Sequence, residues 1–221
     1  MPQLAVIFDM DGVLVDSYQA HYESWKEMYR ELDVEYSEED FAADFGRTSR
    51  DILARRFGND LTDARIREMD DRKEALYRDI IRTQFPAMEG AAELIDGLVE
   101  AGFKIAVGSS GPPDNIALSL ELLASGAKFN AVVTGADVTH GKPDPEVFLK
   151  AADRLDVPST YCAVVEDAAH GITAAKRAGM VAIALTGTLQ RHELGAADAI
   201  VDSLRQLSPQ RIAALIASRQ S

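Results

Sequence analysis

The sequence predicts an α/β fold: a doubly wound parallel sheet, Rossmann-like, with an inserted α-helical cap domain. Three observations predict it. Several short runs are apolar without alternation, which is what a strand covered on both faces requires. Helical patterns separate those runs, and strands alternating with helices read as parallel βαβ units. One long stretch, 17–84, breaks the rhythm and offers helices alone.

The first strand is "LAVIF" at 4–8. The later ones are "FKIAVGS" at 103–109, "FNAVVTG" at 129–135, "TYCAVVE" at 160–166, "MVAIALTG" at 180–187 and "DAIV" at 198–201. Between them, Ala91, Leu94, Ile95, Leu98 and Val99 fall on one helical face, and Gly102 is placed to end that helix. In "KPDPEVFLKAADRL", Asp144 reads as N-cap and Pro145 as the first helical residue. "AAHGITAAKRAG" at 168–179 ends at a second capping glycine. In the insert, Tyr18, Tyr22, Trp25, Tyr29 and Leu32 share one helical face, and 61–82 is a second, highly charged helix. The expected division is 1–16 with 85–221 as core and 17–84 as cap.

Composition narrows the function classes. The chain has 221 residues, 47% of them hydrophobic, enough for a sizeable core. A formal net charge of −13 argues against nucleic acid, whose phosphate backbone needs basic surface. The single cysteine, Cys162, excludes an intramolecular disulfide and reads as a small core hydrophobe. The N-terminus lacks a basic leader, and no stretch approaches the ~20 apolar residues of a membrane span. A soluble cytoplasmic protein, a monomer or weak dimer, is expected.

The chemistry gathers at strand ends. In a parallel α/β sheet, ligands bind beyond the carboxyl ends of the strands. The first strand delivers Asp9 and Asp11, with Gly12 for a sharp turn. "AVGSSG" delivers Ser109 and Ser110, the loop "GKPDP" delivers Lys142, and "CAVVED" delivers Glu166 and Asp167. Clustered like charges raise each other's pKa, so a cation must offset them. Carboxylate oxygens suit Mg²⁺, which takes one or two carboxylates plus waters and phosphate oxygens. Lysine and serine suit phosphate oxygens. An aspartate can serve as nucleophile, and a second carboxylate two residues on as general acid and base. Asp16 reads as a structural residue at the hinge into the cap.

With "DMDGVLVDS", "GSS", "GKPDP" and "VVEDAAHG" in order, the chain resembles the haloacid dehalogenase-like phosphatase superfamily along essentially its whole length. It resembles more narrowly the helical-cap branch that holds β-phosphoglucomutase and many small sugar- or metabolite-phosphate phosphatases. The resemblance implies Asp9 as nucleophile and Mg²⁺ ligand, and Asp11 as general acid/base with its carbonyl on the metal. It implies Ser109 and Lys142 as phosphate binders and Glu166 and Asp167 as the acidic metal pair, with Asp167 in direct contact. Dehalogenase members lack an acid at the position of Asp11, so its presence favours phosphoryl transfer.

In the cap, His21 with Trp25, and Lys73 with Tyr77, match pairs four apart in β-phosphoglucomutase, though each also fits a plain structural role. A mutase must hold a bisphosphate. Where that family has a cap arginine this chain has Ser49, with Arg47 and Arg50 as possible substitutes. After "GSS", Gly111, Pro112 and Pro113 supply no side-chain donors. These departures favour a phosphatase of a small phosphorylated metabolite over a mutase. A non-catalytic relative that binds through its cap would be marked by loss of Asp9 or Asp11, and both are present.

Overall fold

The computed structural model describes residues 2–44, 47–58 and 61–219. These form two compact units, Met1–Asp16 with Pro86–Ser221, and Ser17–Phe85.

The first unit is built on six parallel strands: β1 (Ala5–Phe8), β2 (Lys104–Gly108), β3 (Ala131–Val133), β4 (Cys162–Glu166), β5 (Val181–Leu185) and β6 (Ala199–Val201). Their order is β3-β2-β1-β4-β5-β6. All six expected runs are strands, each trimmed by a residue or more at its ends. β1 is central, with Phe8 opposite Val107 of β2 and Val165 of β4. The chain winds one way from β1 through β2 and β3, then the other way from β4, so the switch point lies between β1 and β4. Ala5, Val6, Ile7 and Phe8 are all fully buried, the reason this strand carries no polar alternation.

Helices cover both faces. One face packs Ile7, Ala106, Val133, Val164 and Ala182 against Phe148, Ala151, Leu155, Ile172 and Ala175. The last five come from α7 (Glu146–Leu155) and α8 (Ala169–Arg177). α5 (Ala91–Glu100) packs on β2, and α9 (Pro209–Ser218) on β4. Gly102 follows α5 with φ 81°, and Gly179 follows α8 with φ 77°, as their capping role requires. α6 (Pro113–Leu122) starts with Pro113 in its first turn, so the Gly-Pro-Pro run after "GSS" is a helix start. One expectation shifts: α7 begins at Glu146, with Pro145 as the preceding cap residue. The Asp144 carboxylate still does capping work, accepting the Glu146 N–H at 3.0 Å.

Where the chain leaves and re-enters this unit, its ends are paired. The Asp16 N–H donates to Pro86 O at 2.8 Å and the Met88 N–H to Leu14 O at 2.9 Å, with Val15 bridging Ala87.

The second unit holds α1 (Tyr18–Arg30), α2 (Glu38–Asp44), α3 (Ser49–Phe57) and α4 (Asp63–Thr83). The Thr48 and Thr62 hydroxyls accept the Asp51 and Arg65 N–H groups and start α3 and α4. The tyrosine face of α1 is its core: Tyr22, Trp25, Met28 and Tyr29 pack with Phe41, Leu53, Ile66 and Met69. Tyr29 stacks on Tyr36 at 4.5 Å between ring centres. Among the described residues, no helix is long and apolar enough to cross a membrane.

Candidate active site

Asp9 follows β1 directly, buried, its N–H donating to Val165 O at 3.0 Å. The chain then folds back tightly. The Leu14 and Val15 N–H groups both reach Met10 O, and the Gly12 N–H reaches Val15 O at 2.8 Å. Gly12 has φ 73°, and a Cβ there would lie 2.0 Å from Asp167 Oδ2. Only glycine combines that conformation with that approach. Gly171, in the first turn of α8, is pressed on the neighbouring acid in the same way. A Cβ on it would sit 2.1 Å from the Glu166 carboxyl carbon. Two backbone segments are thus packed directly against the two carboxylates at the end of β4.

Lys142 reaches into this group from the loop before α7. Its side chain is 3% exposed, and Nζ stands 2.9 Å from both Asp9 Oδ1 and Glu166 Oε2. The hydrogen bond goes to Glu166. Asp9 Oδ1 is buried and accepts none. The Phe148 ring lies 4.9 Å from the ammonium. Burial opposes the charge on Lys142, but Asp9 and Glu166 outweigh it and hold its pKa above the ordinary value. Burial and then the Asp9 charge push Glu166 upward, against the pull of Lys142. Burial and Asp9 also push Asp167 up to about 6, against a hydrogen bond from Thr188.

Asp9, Glu166 and Asp167 can each present one oxygen within 4.8 Å of the others. Three carboxylates against one ammonium leave two negative charges in a buried space when all are ionised. Buried charge without compensation is costly. An all-oxygen donor set in charge excess over its one lysine fits a hard divalent cation such as Mg²⁺.

Ser109 follows β2, next to β1. It is buried, and Oγ accepts the Gly111 N–H at 3.1 Å. A Cβ on Gly111 would be 3.4 Å from Ser109 Oγ and 3.7 Å from Asp11 Oδ2, so both side chains border one small space. Ser110 is exposed. The arrangement therefore joins an acidic, cation-seeking corner to a hydroxyl and a lysine, at the carboxyl ends of three adjacent strands.

A family model described as haloacid dehalogenase-like hydrolase matches residues 6–185. The chain belongs to that family. The β-phosphoglucomutase of Bacillus subtilis is 34% identical over 214 residues, covering 92% of this chain and 91% of that one. The validoxylamine A 7′-phosphate phosphatase of Streptomyces hygroscopicus subsp. limoneus is 31% identical over 207 residues, covering 91% and 94%. The solved HAD hydrolase, family IA, variant 3, of Entamoeba histolytica matches with a TM-score of 0.88 at 24% identity. That match covers 97% of this chain and 100% of that one, and speaks to the fold. As a haloacid dehalogenase-like hydrolase the protein is an enzyme, with named phosphatases among its relatives.

The cap of this haloacid dehalogenase-like hydrolase collects four of the residues singled out in the sequence. Lys73 is 4% exposed rather than solvated. Its Nζ donates to Glu74 Oε1 at 2.8 Å and stands 2.9 Å from His21 Nδ1. An ammonium only donates, so that nitrogen is the acceptor. The Trp25 and Tyr77 rings lie 5.6 and 5.5 Å from the same ammonium, within cation–π reach. His21 and Tyr77 stack at 4.2 Å. Trp25, 4% exposed, also belongs to the cap core.

The arginines do not join this group. Arg50 pairs with Asp63 at 2.6 Å on the surface, and Arg47 Nε donates to Ala43 O at 3.4 Å. Ser49 Oγ donates to Asp70 Oδ1 at 2.5 Å, and burial holds that carboxyl above its ordinary range. Asp16 is exposed, its backbone tying the chain crossing to Pro86. Cys162 is buried in β4, its thiol pushed up to about 12 by burial, consistent with an inert core residue.

Sequence reasoning did not single out Thr188, Phe148 or Gly171. Thr188 had a usable signal, since "TGT" at 186–188 is itself a strand end of the same sheet. The other two act by packing, which no local pattern announces.

Proposed function

We propose that this protein is a Mg²⁺-dependent phosphatase of a small phosphorylated metabolite, a sugar phosphate or phosphoglycolate-like monoester, working in the cytoplasm through an aspartyl-phosphate. The observation that carries the reading is Asp9. It has a buried oxygen that accepts no hydrogen bond, 2.9 Å from a buried ammonium, at the end of the central strand. A buried carboxylate oxygen whose close neighbour is an ammonium suited to phosphate oxygens is placed to attack phosphorus.

In this reading Lys142 and Ser109 hold the phosphoryl oxygens. An Asp9 oxygen attacks phosphorus and the ester P–O bond breaks, while Asp11 gives its proton to the departing alcohol oxygen. Asp11 then takes a proton from water. That water attacks phosphorus, the bond to Asp9 breaks, and inorganic phosphate leaves with the aspartate restored. Asp9, Glu166, Asp167 and the Asp11 carbonyl would hold the cation, which when bound supplies charge screening between carboxylate and phosphate. His21, Trp25, Lys73 and Tyr77 are proposed as specificity determinants in the cap.

A second reading is a phosphosugar mutase, favoured by the 34% identity to a β-phosphoglucomutase. Against it, Ser49 and the Gly-Pro-Pro start of α6 offer no cationic donors, and Arg50 is already paired with Asp63. Each missing charge-assisted hydrogen bond to a second phosphate is worth roughly 1.5–3 kcal/mol. The test is phosphate release over a panel of sugar phosphates, phosphoglycolate and nucleotides with and without Mg²⁺. β-Glucose 1-phosphate is followed in parallel for isomerisation. Release without isomerisation is expected, lost by at least ~10³-fold in Asp9→Asn. Primer-dependent isomerisation would favour the mutase, and full activity in Asp9→Asn would overturn the mechanism.

A further inference from the structure

Lys142 poses a mechanical problem. It stands in a loop between the turn at Gly135–Asp137 and α7, on a stem of four rotatable bonds, yet its ammonium is held 2.9 Å from two carboxylates. Something must fix the loop backbone. Glu146, in the first turn of α7, reaches back over it. Its Oε2 accepts the N–H groups of Thr139 at 3.0 Å and His140 at 2.9 Å. Its Oε1 accepts Lys150 Nζ at 2.6 Å, and that ammonium also donates to Asp137 O at 2.6 Å. Two further bonds complete the frame. The Asp144 N–H donates to Gly141 O at 3.0 Å, and Arg177 Nη1, from the end of α8, donates to Pro143 O at 3.0 Å.

We infer that Glu146 is a positioning residue for Lys142: its carboxylate ties the stretch just before the lysine to the start of α7 just after it and so sets where the ammonium stands. The inference rests on the reading of Lys142 as a phosphate binder only for its functional consequence. The geometry stands without it. The partners of Glu146 are two backbone amides, Lys150 and, at 3.5 Å, the His140 ring, all of them outside the acidic cluster, so it acts through the loop. Lys150 and the two amides hold its carboxyl down at about 2, so it remains an anionic acceptor across the working range. A single-ångström displacement of a positioned group can cost up to about 100-fold, which is the leverage such a clamp has.

The test reads Lys142 directly. Acylation of individual lysines is followed by mass spectrometry in the intact protein, with binding of inorganic phosphate in the presence of Mg²⁺ measured by calorimetry alongside. In Glu146→Ala, labelling of Lys142 should rise at least about fivefold and phosphate binding weaken about tenfold, for a displacement well under an ångström. Glu146→Gln keeps an oxygen for the two amides and should recover most of both effects. Combined with Lys142→Met, Glu146→Ala should change phosphate binding by less than about twofold, since the two act as one unit. Unchanged Lys142 labelling in Glu146→Ala, or an undiminished extra loss of binding in the Lys142→Met background, overturns the inference. If Glu146→Ala does not fold, Glu146→Ser, which suits a helix start but is too short to reach the Thr139 and His140 amides, carries the labelling measurement, and unchanged Lys142 labelling in it overturns the inference. A wild-type protein that shields Lys142 yet binds no phosphate would defeat the phosphatase reading and leave this one standing.

Discussion

Lys142 in the core and Lys73 in the cap are both buried ammonium groups beside acids, yet their surroundings differ in what they leave over. Lys73 has one paired acid, Glu74, plus a histidine nitrogen and two aromatic faces. Other polar groups of the cap are likewise matched, Ser49 with Asp70, Arg50 with Asp63, and Arg55 with Asp44. Lys142 faces Asp9 and Glu166 with Asp167 close by, and one Asp9 oxygen accepts no hydrogen bond. These charges close on one another. Those of the core are left in excess, three buried acids against one ammonium.

The largest effect on stability should come from Lys142→Met. It strands three buried acids, and breaking a buried pair costs about 3–5 kcal/mol. Urea unfolding checks this, and a variant as stable as wild type would break the contrast. Gly12→Ala should follow. The left-handed backbone costs roughly 1–2 kcal/mol with a side chain, and the collision with Asp167 should also abolish the rise in melting temperature expected of the wild type with Mg²⁺. Lys73→Met strands one acid only and should cost about 2 kcal/mol, mainly the cation–π contacts and the Glu74 pair. Arg50→Ala, in a pair whose side chains are 58% and 66% exposed, should change stability by less than about 1 kcal/mol.

Metal-free protein should also show the contrast in pH. Asp167 is raised from 3.8 to about 6 in the folded state, so between those values the folded protein binds more protons than the unfolded one. Stability in EDTA should therefore fall as pH rises from about 4 through 6. Saturating Mg²⁺ should reverse that slope, because the cation favours the ionised carboxylate. Thermal melts at fixed ionic strength read both slopes, and a rise in EDTA over this window would contradict the assigned environment of Asp167.

The sheet was legible because its strands are buried on both faces. "LAVIF" and "CAVVE" have no alternation to confuse with a surface strand, and strand ends locate a parallel sheet's site without further information. The helical character of 17–84 was legible from the tyrosine face of α1, but α2 and α3 were not. They are 7 and 9 residues long, too short to show a clear period. Lys73 lies in a run of charged residues and reads as solvated until α1 is laid beside α4. Arg50 reads as available until Asp63, thirteen positions on, is found beside it. Glu146 carries no signal in the sequence and is found only as the first residue of α7. That it also grips the loop behind it depends on how that loop turns back, which no spacing encodes.

The pairing of the chain's exit and re-entry has a practical meaning. Asp16 and Pro86 are joined by a single hydrogen bond of 2.8 Å, with Val15 and Ala87 bridged beside them. Everything between leaves and rejoins the sheet unit at one point, so sixty-nine residues are inserted without interrupting the strand order. The insertion point is in this sense a socket, one place on the sheet unit from which the whole second unit departs and to which it returns.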